Sequence, residues 1–180
     1  MSSTRKSPDQ QPQHESRSSD VVDERSLKRV AALFAAGVTV VTMRRAGGLH
    51  GLTLNAYLTV SWNPPLVLIS IDNLSQSVDH IRDAGVFAVN FLSNRQEFLA
   101  ERFAGRAPLV NTRFEGVPHR FGATGAPLLD NALGWLECRV EKTIEAGDHT
   151  LFLGRVVGLR EGQRGSALAY FARAYRSVEP

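Results

Sequence analysis

Within the stretch GLTLNAYLTVSWNPPLVLIS, Gly51 to Ser70, the polar residues Thr53, Asn55, Thr59 and Ser61 share one side of an alternating pattern. Leu52, Leu54, Ala56, Leu58 and Val60 share the other, which is the period of a half-buried strand. An apolar face of this kind builds a core. The opposite face presents hydroxyls, a side-chain amide and backbone groups, the set that holds a planar, hydrogen-bonding ligand in an otherwise apolar slot. Trp62-Asn63-Pro64-Pro65 then interrupts the ladder, because neither proline has an N–H to donate, and Leu66 to Ile71 resumes as a buried strand. Ser61, Ser75, Ser77 and the start of the helix that begins at Ser75 offer hydroxyls and N–H groups suited to a phosphate tail.

The chain is otherwise short of reactive groups. Its single cysteine, Cys138, alternates with Leu136 and Val140 on one face of a strand-like run and reads as a buried structural thiol. No serine sits in a GxSxG context, and the histidines at 14, 50, 80, 119 and 149 form no i, i+4 pair and no HExxH, so neither a triad hydrolase nor a locally assembled metal site is expected. His50 and His80 read as solvated, and Asp148 as a turn former. GxGxxG and GxxxxGK[ST] are both missing. A binding-type polar face without an acid, base or nucleophile set suits a protein whose chemistry is carried by a cofactor.

The elements that must position this face follow from the pattern along the 180 residues, 43% of them hydrophobic, enough for one domain with a real core. Residues 1–23 are rich in Ser, Gln and Pro and are expected to form a disordered tail; residues 24–180 form the domain. Glu24 to Ala36 predicts a helix packed on a sheet, with Gly37 as its stop. Val38 to Met43 is β-branched and turns back through Gly47-Gly48. Ser75 to Gly85 predicts a Ser-capped helix, Val86 to Leu92 a buried strand, and Asn94 to Gly105 an amphipathic helix. Residues 106–129, dominated by glycine and proline, read as a long loop. Leu133 to Ala146 and His149 to Glu161 read as strands joined at Gly147-Asp148, and the last segment as one short strand or turn. Six or seven strands without regular βα alternation favour a mainly antiparallel β-barrel with peripheral helices.

The net charge of +3 is dispersed, and only Lys28 and Lys142 follow residue 20 among the lysines, so nucleic acid is not expected as a partner. No apolar run of eighteen residues and no secretory leader is visible, so no membrane span is expected and the cytoplasm is the expected location.

Four motifs in order, GVTVVT at Gly37, GLTLNAYLTVSWNPPLVL at Gly51, FAVNFLSNRQEFLAERFAG at Phe87 and GDHTLFLGRV at Gly147, resemble the flavin reductase family over about Leu33 to Tyr175. These are the NAD(P)H-dependent reductase components of two-component flavin monooxygenases, with an FMN-binding split-barrel fold. The resemblance implies FMN or FAD as flavin and NADH or NADPH as hydride donor. It also implies a homodimer and a separate monooxygenase as partner. It places Thr53, Leu54, Asn55 and Ala56 beside the isoalloxazine, and Thr59 and Ser61, followed by Pro64-Pro65, near the ribityl and phosphate end. Asp72, Ser75 and Ser77 match the turn around the flavin tail, Val89 and Asn90 the strand beside it, and His149 the nicotinamide side. Asn90, inside an apolar strand, needs partners that either a flavin or a backbone group supplies. Thr59 stands where many relatives have serine, and the terminal Arg173-Ala174-Tyr175 departs from the family pattern. The competing expectation is a flavin-binding electron carrier or store without NAD(P)H turnover on the same barrel.

Overall fold

The computed structural model describes residues 22–106 and 114–180; the expected tail, up to Val21, lies outside them. The two larger cores are built from strands buried on both faces. In β2 (Thr39–Arg45), Val41 and Met43 enter one hydrophobic cluster, while Val40 and the preceding Val38 enter another. A strand with no solvent face has no polar alternation to show, which is why this run is β-branched and continuous. The first cluster gathers Ile69, Ile71, Phe87, Val89 and Phe152 beneath Val78 and Ile81 of a helix; the second gathers Leu92, Ala100, Phe103, Leu129 and Leu168. Each fully buried side chain of this size contributes roughly 1.5–3 kcal/mol.

Seven antiparallel strands form the main sheet in the order β3-β2-β6-β9-β10-β5-β4. They are β2, β3 (Gly48–Leu54), β4 (Tyr57–Trp62), β5 (Pro65–Asp72), β6 (Val86–Phe91), β9 (Gly134–Ala146) and β10 (His149–Glu161). The sheet's two edges, β3 and β4, are consecutive in the chain and joined by Asn55-Ala56, with no ladder between them. The mainly antiparallel β expectation is thus met, as a sheet curled back toward its own edge. Curvature comes from β10, whose register slips at Leu153/Gly154 and Val156/Gly158. A Cβ at Gly154 would lie 2.5 Å from the Phe87 ring, so the bend depends on its absence. A smaller sheet, β1 (Ala36–Gly37), β11 (Ala167–Phe171) and β12 (Ala174–Val178), closes one side. The terminal segment is therefore a two-stranded hairpin, not one short strand. The expected loop over 106–129 contains, in its described part, the paired strands β7 (His119–Phe121) and β8 (Pro127–Leu129).

Three α-helices accompany the sheets: α1 (Glu24–Ala31), α2 (Ser77–Ala84) and α3 (Glu97–Phe103). Asp23 caps α1, accepting from the Ser26 N–H at 2.9 Å, and the Ser26 hydroxyl followed by that N–H lowers the Asp23 carboxyl pKa. The helix ends five residues before its expected stop, and the Ala32 carbonyl accepts from Ala172 N–H in the turn between β11 and β12. Nor does α1 pack as expected: it buries no residue, and Leu27, Val30 and Phe34 are 59%, 64% and 78% exposed. The serine cap expected on α2 is replaced by Gln76 without a side-chain bond, while Gly85 ends the helix at φ 62° as its position after the last turn requires. Among the described residues no helix is long and apolar enough to cross a membrane.

Candidate flavin site

The joint between β3 and β4 is where the polar face and the fold meet. Leu54 ends β3 with its carbonyl accepting from Thr39 Oγ1 at 2.9 Å, and Ala56 presents its carbonyl to Ser70 N–H at 3.1 Å. Between these two anchors the backbone of Asn55 and Ala56 is fixed, yet both residues are exposed. Among the described residues the Asn55 amide has no hydrogen-bond partner. Thr53 Oγ1 donates to the Ala100 carbonyl at 2.7 Å, tying the ledge to α3. Gly51 permits that approach, since a Cβ there would lie 2.6 Å from the Phe103 ring.

Two clefts meet at Asn55. One, of about 350 Å³, runs beneath α1 and is walled by Phe34, Ala36, Ala56, Tyr57, Leu58, Leu68 and Ser70. The other, of about 120 Å³, is lined by Val38, Thr53, Leu54, Ala104, Arg106, Tyr170 and Tyr175. The second wall was not read from sequence. Arg106 pairs with Glu101 at 3.5 Å, and the Tyr170 hydroxyl followed by Glu101 raises the Arg106 pKa. The Tyr175 hydroxyl is pushed up to about 12, chiefly by burial and then by its bond to Glu101, so it is a neutral donor at ordinary pH. Tyr170 and Tyr175 face each other across the β11–β12 ladder with ring centroids 5.3 Å apart. A pair of tyrosines flanking a tight turn, YFARAY, is the signal in the sequence for this wall.

On β4 the alternation runs opposite to the expectation. Tyr57, Thr59 and Ser61 are half-buried, whereas Leu58 and Val60 are 58% and 48% exposed. The two-residue break at Asn55-Ala56 ends one strand and starts another, so the period of β3 does not carry through. Thr59 Oγ1 meets the Tyr57 hydroxyl at 2.9 Å, and Ser61 sits at a register shift opposite Leu66. Neither lines the two clefts.

Asp72, Ser75, Ser77 and His149 gather at one end of β5 and β10. His149 is the cross-strand partner of Asp72, as Leu151 is of Ser70. Because Ala56 is bonded to Ser70, two residues from Asp72, the ledge and the Asp72–His149 pair lie about 7 Å apart along β5. Asp72 Oδ1 accepts from Leu74 N–H at 2.8 Å and Ser75 Oγ from Ser77 N–H at 3.3 Å. Ser77 Oγ is buried against His50 Nε2 at 2.8 Å, so His50 is a partner of the turn and not merely solvated. His149 Nδ1 meets Asp148 Oδ1 at 2.7 Å, a bond that lowers the Asp148 pKa, and among the described residues Nε2 has no partner. The Lys28 pKa on α1 is raised, first by its bond to Glu24 and then by the charges of Asp148 and Asp72.

Val89 and Asn90 stand apart, inside the sheet. Asn90 Nδ2 donates to the Val40 carbonyl at 3.0 Å and Thr42 Oγ1 at 3.1 Å, and Asn90 Oδ1 accepts from Leu129 N–H at 2.8 Å. Its amide is filled by the protein. Cys138 is buried, and burial pushes its thiol up to about 12, so it is neither nucleophile nor ligand at ordinary pH. Among the described residues no group of three or more His, Cys, Asp or Glu is placed to hold a metal.

An antiparallel sheet carrying a ledge with an exposed amide, fixed backbone groups and apolar walls is suited to a planar, hydrogen-bonding ligand. Residues 31–179 match the flavin reductase like domain. An NADH-dependent flavin reductase of Rhodococcus sp is 38% identical over 156 residues, 85% of this chain and 85% of that protein. A probable flavin reductase of Rhizobium meliloti (strain 1021) is 37% identical over 157 residues, 87% of this chain, which spans about half (49%) of that protein's length. The crystal structure of BorF, the flavin reductase component of a bacterial two-component tryptophan halogenase, superposes with a TM-score of 0.80 at 35% identity, covering 88% of this chain and 99% of that one. The chain belongs to the flavin reductase family and is an oxidoreductase of that class.

Proposed function

We propose that this protein reduces FMN or FAD with NADH or NADPH and releases the reduced flavin to a separate flavin-dependent oxygenase. The observation that carries this reading is the unpaired Asn55 amide on a fixed backbone joint between two clefts, with His149 close by. Asn55 and the N–H and carbonyl groups of the joint are suited to the polar edge of an isoalloxazine, and Phe34, Tyr57 and Leu58 to its apolar faces. When bound, the flavin supplies hydride acceptance at N5. The chain's own task is to hold the rings in contact and exclude water, and positioning of this kind is worth up to roughly 7–11 kcal/mol. His149, steadied by Asp148, is assigned to the carboxamide of the nicotinamide through its free Nε2. Asp72, Ser75 and the N–H groups at the start of α2 are assigned to the flavin tail.

The purified protein is expected to consume NADH catalytically with excess FMN or FAD; no turnover with either flavin and either nicotinamide would refute the reading. His149→Ala is expected to raise KM for the nicotinamide about tenfold, the loss of one hydrogen bond, and to leave KM for flavin unchanged. Equal effects on both would remove its assigned role. A homodimer is the proposed assembly, supported by the exposed apolar stripe of α1 and by Leu58, Val60 and the 87% exposed Trp62 on β4.

A further inference from the structure

A further cleft lies away from the ledge. It has a volume of about 600 Å³ and runs past the start of α3; a second of about 490 Å³ continues it, and the two share Asp130, Asn131 and Gln163. No residue of the ledge or its two clefts lines this groove. Arg95 and Arg164 border one half and Arg120 and Arg160 the other, opposed by the carboxylates of Asp130 and Glu161. Among the described residues none of the four guanidiniums has a hydrogen bond or ion pair, and the side-chain amides of Asn131 and Gln163 at the junction are equally unspent. The floor holds the indole of Trp135, whose buried Nε1–H has no partner. Phe98, 62% exposed, stands at the far end.

We infer that this groove is a second ligand site, for a nucleotide bearing a pyrophosphate. The planar forks of paired arginines match phosphate oxygens two at a time, and a buried indole donor without a partner is a position that a ligand acceptor satisfies. Exposed aromatic and amide groups suit the face and edge of a base. The source is a free nucleoside diphosphate, because His149, assigned to the nicotinamide, and Arg160 stand at opposite ends of β10, roughly 35 Å apart along the strand, farther than one dinucleotide reaches.

The test uses the full chain with Trp62→Phe, which leaves Trp135 as the sole tryptophan and therefore the reporter. ADP is expected to change Trp135 emission saturably at or below about 1 mM. Arg95→Ala with Arg164→Ala, and separately Arg120→Ala with Arg160→Ala, are each expected to weaken ADP about tenfold or more, with KM for flavin unmoved. These side chains have no protein partner, so the variants retain the parent's circular dichroism. KM for NADH is expected to match the parent's; a rise that parallels the loss of ADP affinity would make the donor the occupant and overturn the groove as a separate site. Absence of a saturable change, or double variants that bind ADP like the parent, overturns the site. Inorganic pyrophosphate or tetraglutamate binding as tightly as ADP overturns the nucleotide assignment. Emission reports this groove whether or not the protein turns over NADH, so failure here and failure of the flavin reading are separable.

Discussion

Asn90→Ala is expected to cost about 2–4 kcal/mol of stability, read as a lower urea midpoint at unchanged slope. The magnitude follows from what the amide holds. Its Oδ1 is the acceptor for the buried Leu129 N–H, and its Nδ2 spans the Val40 carbonyl and Thr42 Oγ1. Truncation leaves the Leu129 donor orphaned in a region without water access, at about 1–3 kcal/mol, and adds the loss of two donated bonds and a small cavity. Asn90→Leu, which restores volume but no acceptor, is expected to recover only the cavity part. The structural role has a clear opposite. A variant that kept its urea midpoint within about 0.5 kcal/mol of the parent while raising KM for flavin tenfold would return Asn90 to the ligand.

The same residue shows what sequence could and could not resolve. An amide within VFAVNFL announces a buried group in need of partners, but its partners come from β2 and β8, separated from it in sequence by 48 and 39 residues in the case of Thr42 and Leu129. Their identity is a matter of sheet order, which local period does not encode. The long strands β9 and β10 were legible because alternation and a glycine turn are local. On β4 the alternation was legible but its direction was not, since a two-residue break inverts the faces and Asn55-Ala56 looks like one more polar–apolar step. The apolar stripe of α1 was correctly seen as a stripe; a helix pattern gives the face to be covered and not what covers it. Arg106, Tyr170 and Tyr175 were missed because the smaller cleft is made by the C-terminal end of α3 meeting the last hairpin, two segments far apart in the chain. His149 and Asn55 were singled out through resemblance, and the geometry adds that Asp72 and Ser70 on β5 are the bridge between them.

Ala56→Trp is expected to lower kcat/KM for flavin reduction about 100-fold or more, equivalent to roughly 2.7 kcal/mol of lost transition-state stabilisation, while leaving the folding free energy within about 0.5 kcal/mol. Ala56 is exposed, so an indole there displaces only cleft volume. It cannot be relieved by a backbone retreat, because the Ala56 carbonyl is bonded to Ser70 N–H and the neighbouring Leu54 carbonyl to Thr39 Oγ1. The about 350 Å³ between this residue and Phe34, just past the end of α1, is the volume available to a ring system on the ledge. Filling it therefore removes the site without removing the fold. Ala56→Ser, which adds one small hydroxyl, serves as the matched control and is expected to stay within about threefold of the parent, or under roughly 1 kcal/mol. The two readings of the cleft separate cleanly in these variants. If Ala56→Trp turned over flavin like the parent, the rings would bind elsewhere and the ledge would be only a strand joint. If turnover falls while His149→Ala affects the nicotinamide alone, the cleft under α1 takes the flavin and His149 faces the donor.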